Sequence, residues 1–381
     1  MKFVVLPAAL KAAFAAVSPA VMSRQLMPVR ENVLFVPSDD GKSFILTGSD
    51  DSLTISVSLP IEEGSGLRPF LLGGRYIGEL VKSLGEWPAD VEIDDKGALT
   101  VSDVMGDFQF VCSLDVSEYP VGKKEVQLGS FVVNSAVLLM MLNSAAESTE
   151  TDKGDKTLRP VMTNVCMDVR ESQVNVVASD SKQMYVNILR DVSIEGEPRF
   201  VLVKPRVIKA LAGMVACGTD DTVRVSYTEK SVRFTQGSSV LISVVTEGKF
   251  PRYEAVLPKT NNRIAVVNID SLKAAINRVC YSSDGTNGIK LRFDGSSHIT
   301  LEARDVDFSR SAKVTFDTIS QENMPSAVYG LAYNRLLTIL SSFKGQKNVT
   351  FLCGDEHRPM LLKEDPTGDL TTLLMPMQIV W

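Results

Sequence analysis

The apolar and polar positions fall into one pattern three times over: a short alternating run that reads as a strand, followed at once by the start of an amphipathic helix. The first copy is Phe3-Val4-Val5-Leu6 leading into Leu10-Lys11-Ala12-Ala13-Phe14. The second is Phe131-Val132-Val133 leading into Leu138-Leu139-Met140-Met141-Leu142, and the third Val266-Val267-Asn268 leading into Leu272-Lys273-Ala274-Ala275-Ile276. Leu10, Leu138 and Leu272 recur at a period of about 130 residues, one domain's worth of chain. A second marker keeps the same period: a strand-like run ending at Asp50, Asp180 or Asp305. Two unrelated markers sharing one period predict three tandem domains, 1–123, 124–258 and 259–381.

Each domain also carries a second helical stripe about 65 residues after the first. Tyr76, Ile77, Leu80, Val81 and Leu84 form one; Val207, Ile208, Leu211, Met214 and Val215 the next; Leu336, Leu337, Ile339 and Leu340 the last. Alternating runs follow, such as Val223–Tyr227 and Val240–Val245, which read as antiparallel strands. The predicted class is α+β, with two helices and antiparallel sheet per domain. Proline, glycine and polar residues mark linkers at 118–123 and 256–262, and residues 149–157 read as a charged loop.

Bulk properties narrow the function. The chain has 381 residues, 44% hydrophobic and 23% charged, enough apolar mass for several cores. Five scattered cysteines give neither a disulfide framework nor a zinc cluster, which points to a reducing, cytoplasmic setting. No run approaches the roughly 18 apolar residues that a membrane span needs. The apolar N-terminal stretch superficially resembles a secretory signal, but it matches the third copy nearly residue for residue and reads as structure. Of the two histidines, His298 and His357, neither sits in a nucleophile motif, and Cys353 with His357 makes a poor metal pair. Gly73-Gly74-Arg75 and Gly285-Thr286-Asn287-Gly288 match no phosphate-binding spacing and read as turns. Neither a cofactor nor a metal is expected. Asp50, Asp180 and Asp305 recur at equivalent places, which suggests a shared structural job such as capping a turn.

Basic residues cluster on the helices: Arg75 and Lys82 on one, Arg206 and Lys209 on another, then Arg335, with Lys11 and Lys273 on two of the first helices. The first helix of the second domain has none. A solvated helix face and a nucleic-acid contact both fit this pattern. The net charge of −6 argues against a protein that coats phosphates with cations.

Leu373-Leu374-Met375-Pro376-Met377-Gln378-Ile379 and Phe250-Pro251-Arg252-Tyr253-Glu254-Ala255-Val256-Leu257-Pro258, together with Leu46-Thr47-Gly48-Ser49-Asp50, Asn287-Gly288-Ile289-Lys290-Leu291 and the threefold spacing, resemble the bacterial sliding clamps, the beta subunits of DNA polymerase III. The resemblance covers the whole length. It implies DNA-clamp domains, three per chain, and a homodimer closed head to tail around double-stranded DNA, with no chemistry of its own. It also implies docking of the polymerase catalytic subunit, the clamp loader and repair factors through short peptides. Size supports a pair: treated as touching spheres about 36 Å across, three domains leave a hole of about 6 Å and six leave about 36 Å, against a duplex about 20 Å wide. An acidic ring with basic inner helices would hold DNA by topology and still slide.

By resemblance the DNA-facing residues are Lys11, Arg24, Arg75, Lys82, Lys156, Arg206, Lys209, Lys273 and Arg335. The partner-peptide pocket is matched by Met162, Ser179, Ser181, Gln183, Met184, Pro251, Ala255, Val256, Leu373, Met375, Pro376, Met377 and Ile379, with Met375 and Met377 read as facing one side of a terminal strand. Phe108, Cys280 and Tyr281 match the dimer interface, where edge strands could pair. The chain departs from the family at Ser181-Lys182-Gln183, Ala255 and Gln378, and Val380-Trp381 extend past the usual end. An exported adhesion protein and an enzyme with an unrevealed site are the rival readings.

Overall fold

The computed structural model describes residues 1–21, 26–120, 125–150, 159–295 and 297–381. It divides into two compact units, the first 1–139, 192–197 and 203–245, the second 140–191, 198–202 and 246–381. The sequence-predicted middle domain contributes to both.

The six helices found among the described residues are α1 (Pro7–Val17), α2 (Gly74–Ser83), α3 (Ser135–Ala146), α4 (Pro205–Cys217), α5 (Ile269–Val279) and α6 (Tyr333–Ser342). Their starts follow local rules. Pro7 and Pro205 preset the backbone of the first turn, and the Asn268 side chain accepts from the Ser271 amide at 2.9 Å to cap α5.

Unit one holds a five-stranded sheet and a nine-stranded sheet. In the larger, Leu53–Pro60 pairs on one side with Ser43–Ser49 and on the other with Ser239–Val244, in the register Leu53 to Ser243 and Ile55 to Leu241. Leu53, Ile55, Val57 and Leu59 are buried while Thr54, Ser56 and Ser58 are not, so strict alternation decides which face meets the core. Phe3, Phe35, Phe44 and Phe70 fill that core, Phe35 and Phe70 stacked with centroids 4.5 Å apart. The N-terminal residues are part of it: Lys2–Val5 pairs with Ala89–Ile93, and α1 packs beside α4. Helices α1 and α4 approach closely because the seam is small, with Ala16 against Gly213.

Unit two repeats the plan with its own nine-stranded sheet and a four-stranded sheet. Here Gln183–Arg190 pairs with Leu370–Leu374, in the register Gln183 to Leu374 and Tyr185 to Thr372. In each unit, therefore, the fourth strand of one repeat is laddered to the last strand of the next.

One carboxylate accompanies each of those ladders. Asp50 accepts from the Ser52 and Leu53 amides at 2.7 and 2.9 Å with one oxygen, and its other oxygen holds Arg206 at the start of α4. Asp180 accepts from the Lys182 and Gln183 amides at 2.9 and 2.8 Å and gives its other oxygen to Arg335 in α6. Asp305 accepts from the Phe308 amide at 3.1 Å, and its second oxygen takes Arg310 of its own hairpin at 2.7 Å. The turn-capping role expected from sequence is present in all three; the arginine partnership is an addition to it.

Three details differ from the sequence reading. The strand expected to carry Met375 and Met377 ends at Leu374, before Pro376, which cannot donate to a ladder. Tyr76, placed in an apolar stripe, is 47% exposed and leans on Phe110. Tyr119, placed in a linker, is buried and donates to the Thr47 carbonyl at 3.0 Å, so that segment is pinned; residues 121–123 lie outside the described residues.

Two predictions follow from this packing. Removing the guanidinium by Arg335→Ala leaves Asp180 largely buried and half-satisfied, and should lower unfolding stability by about 2 kcal/mol; an unchanged urea midpoint would show that the pair contributes nothing. Burial pushes the Cys353 thiol and the Tyr185 and Tyr329 phenols up to about 12, whereas in the unfolded chain such groups ionise near 9.0 and 10.0. The folded protein keeps protons that the unfolded chain releases, so this stability is complete below about pH 9 and is lost as pH climbs toward 12. The urea midpoint should fall progressively above about pH 9, and a midpoint that stays flat to about pH 11 would contradict the assignment.

Candidate functional site

An apolar cluster in unit two gathers much of the predicted pocket. Met162, from the turn Pro160–Thr163, meets Met184, Leu373, Phe250 and Tyr253, and half-buried Met375 packs against them. Methionine side chains flex through three torsions, so such a lining can adapt to more than one apolar ligand. Beside it, the Ser179 hydroxyl donates to the Gln183 carbonyl at 2.8 Å and closes the hairpin turn. Ser181 sits in that turn at φ 71°, a conformation that favours glycine. Gln183 is buried; its amide nitrogen reaches the Glu147 carbonyl at 3.4 Å, while its Oε1 has no hydrogen-bond partner among the described residues.

Pro251, Ala255 and Val256 come from the segment around the turn Tyr253–Ala255, with Val256 half-exposed. A polar network that sequence reasoning missed holds this segment down. Arg170 donates to Asp168 at 2.6 Å, to the Tyr253 hydroxyl at 2.8 Å and to Glu254 at 2.7 Å; Tyr253 donates to Asp168 at 2.7 Å and accepts from Asn175 at 2.8 Å. Burial pushes the Tyr253 phenol up, so it stays protonated as a donor. After Leu374 the chain is carried by single bonds: the Met375 amide donates to the Lys182 carbonyl and the Met377 amide to the Gly330 carbonyl, both at 2.8 Å. Pro376, Met377 and Ile379 lie on this stretch, half-buried.

The basic residues separate into two groups. Lys11 on α1, Lys82 on α2 and Lys209 on α4 are exposed, and Lys273 on α5 is half-buried. Arg206 and Arg335 instead spend their charge on Asp50 and Asp180, which removes them from the freely available positive potential. Arg75 is almost fully exposed and pairs with Glu79, one turn on, at 3.1 Å. Arg24 and Lys156 lie outside the described residues.

Each sheet ends on both sides in a strand with a single neighbour among the described residues. Gly106–Val111 closes the five-stranded sheet, with Phe108 and Phe110 half-buried, and Arg310–Asp317 closes the four-stranded one. Cys280 and Tyr281, matched to the same interface as Phe108, are on no strand; they occupy the turn Cys280–Ser282 against Arg310–Asp317, with the cysteine half-exposed and the tyrosine 79% exposed. Among the described residues no three histidine, cysteine or acidic side chains gather as metal ligands. His298 lies between Asp294 and Asp317, each at 3.2 Å, on the sheet surface.

The family models agree with this geometry. Residues 1–123 match the N-terminal domain of the DNA polymerase III beta subunit, and residues 254–378 match its C-terminal domain. Among named relatives, the beta sliding clamp of Pseudomonas aeruginosa is 24% identical, over 95% of this chain and 96% of that protein, and that of Bacillus subtilis is 22% identical over 99% and 100%. The solved structure of the Pseudomonas aeruginosa clamp bound to griselimycin superposes with a TM-score of 0.89 at 22% identity, and the beta subunit of Thermotoga maritima with 0.86 at 18%, each covering both chains fully. Two family models covering both ends of the chain, whole-length relatives and a common fold make this chain a member of the DNA polymerase III beta subunit family, the bacterial sliding clamps, which are accessory and not catalytic subunits.

Proposed function

We propose that two copies of this chain close head to tail into a ring around duplex DNA, and that the ring tethers the replicative polymerase. The observation that carries this reading is an unfinished series. In sequence and position Arg75, Arg206 and Arg335 are equivalent: Gly74-Arg75-Tyr76-Ile77, Pro205-Arg206-Val207-Ile208 and Asn334-Arg335-Leu336-Leu337 each open a second helix. Asp50 holds the arginine of the following repeat, and so does Asp180. Continuing the series, the second oxygen of Asp305, which within one chain takes Arg310, also takes Arg75 from the first repeat of a second copy.

The edge strands Gly106–Val111 and Arg310–Asp317 fit the same rule. Carrying over the register of the two internal ladders sets Phe110 opposite Arg310, Phe108 opposite Ala312 and Asp107 opposite Lys313 across the copies. That arrangement buries the half-exposed phenylalanines and pairs opposite charges. A strand edge that finds its complement only on the other end of an identical chain gives a closed pair.

Within such a ring Lys11, Lys82, Lys209 and Lys273, with Arg24 and Lys156, supply weak positive potential toward phosphates, while the net charge of −6 keeps the exterior from sticking. The domains are 1–123, 124–258 and 259–381, and the protein works in the bacterial cytoplasm at the nucleoid. The polymerase catalytic subunit, the clamp loader and repair factors dock through short peptides at the Met162, Met184, Leu373 and Met375 cluster. Griselimycin, bound by the Pseudomonas aeruginosa clamp, is a fitting ligand for this cluster.

Two experiments test the reading. Loaded onto DNA, the protein should persist on circles and run off linear molecules with free ends; equal loss from both would reject encirclement. Arg75→Ala and Asp305→Asn should each weaken the dimer about tenfold, a loss of about 1.4 kcal/mol, with the double variant little worse than either single. Strictly additive losses measured by sedimentation would mean that the two side chains do not meet.

A further inference from the structure

Residues 375–381 form no strand, yet they are fastened along one face of the four-stranded sheet of unit two. In the strand Gly288–Phe293, Ile289, Leu291 and Phe293 face the core, so Gly288 and Lys290 lie on the opposite face, and Gly330 sits across from Lys290. Two glycines clear this face of side chains. A Cβ on Gly330 would lie 2.2 Å from the Met377 carbonyl oxygen and 3.0 Å from Ile379, and one on Gly288 would lie 3.3 Å from Ile379. The trailing chain therefore rests backbone on backbone. Beyond Ile379, the Lys290 ammonium sits 4.1 Å from the centre of the Trp381 ring and also donates to the Trp381 carbonyl. Met377, Ile379 and Trp381 are half-buried while Gln378 and Val380 are exposed, so the alternation of an extended segment continues with alternate side chains against the sheet.

We propose that Lys290 and Trp381 form a latch that holds this segment down and thereby positions Met375 and Met377 as the wall of the peptide pocket. The inference rests on the pocket reading above. Between Leu374 and the latch, the main-chain attachments are the amides of Met375 and Met377. A wall held at both ends is ordered before a peptide arrives, so the peptide does not bear the cost of ordering it. With the latch open, that cost returns to the binding step. Lys290 and Trp381 are thus positioning residues that act on affinity without touching the ligand, and they give Val380-Trp381, which extend past the usual family end, a task.

Griselimycin is the probe, titrated calorimetrically into the full-length chain. Lys290→Met and Trp381→Ala should each raise its Kd about tenfold, a cation–π contact and its hydrogen bond being lost together. Lys290→Arg keeps a cation over the ring and a donor, and should restore near-normal affinity, which a merely structural role for the lysine stem would not require. Because Trp87 and Trp381 are the two tryptophans, a Trp87→Phe background reports the latch directly. There, Lys290→Met should shift Trp381 emission to the red with the melting temperature unchanged. A red shift with unaltered Kd would overturn the latch and leave the pocket standing, as would an absent shift. Failure of the unsubstituted chain to bind griselimycin would overturn the pocket reading and the latch with it.

Discussion

A buried carboxylate with two separate duties organises this molecule. One oxygen of Asp50 or Asp180 gathers the amides of a tight turn and so fixes where the next strand starts; the other oxygen anchors an arginine at the head of a helix one repeat further on. Neither duty alone would suffice. The turn sets the register of the strand that crosses the repeat boundary, and the arginine keeps the neighbouring helix against it. Burial makes the arrangement strict, because a carboxylate removed from water must be fully paired. The ladder from Leu53 to Ser243 and the ladder from Gln183 to Leu374 are the same joint made twice.

Much of this was legible in the sequence wherever cause and effect are local. Alternation in Leu53–Pro60 and the stripes of the second helices predict the elements because side-chain period follows backbone geometry. Recurring aspartates predicted turns because an Asp side chain caps amides two or three residues ahead. What failed to show lies far apart along the chain. Nothing near Asp180 announces Arg335, and nothing near Asp168 announces Tyr253 and Glu254. For that reason Arg206 and Arg335 read as surface charge, and the network around Tyr253 went unseen. Cys280 and Tyr281 match an interface where edge strands could pair, and a three-residue turn beside the edge strand carries them. The terminal strand, expected to reach Met377, stops three residues earlier at Leu374, ahead of a proline whose missing donor cannot extend the ladder.

The same joint connects structure to function. A protein that must stay on DNA while moving along it cannot rely on phosphate contacts, whose strength would also stop it. Closure supplies retention without adhesion, and closure demands an interface that repeats the geometry of the internal joints. In the proposed ring the exposed lysines on α1, α2 and α4 would guide the duplex without gripping it. In the proposed function recruitment is a separate matter, assigned to the adaptable methionine cluster of the second unit, against which Met375 of the trailing segment packs.

The register of the joint between copies tests this account most directly. Gln109 and Ser311 are both exposed and, by the rule of the internal ladders, stand opposite each other across the two chains. Directly opposed antiparallel residues have Cα atoms about 4.5 to 5.5 Å apart, within reach of a disulfide. In a background with Cys217 and Cys280 changed to serine, the pair Gln109→Cys and Ser311→Cys should oxidise quantitatively to a covalent dimer, and Gln109→Cys with Thr315→Cys should not. Monomer after oxidation of the first pair, or equal cross-linking by both, would contradict the claim that one joint, made twice within the chain, is made again between chains.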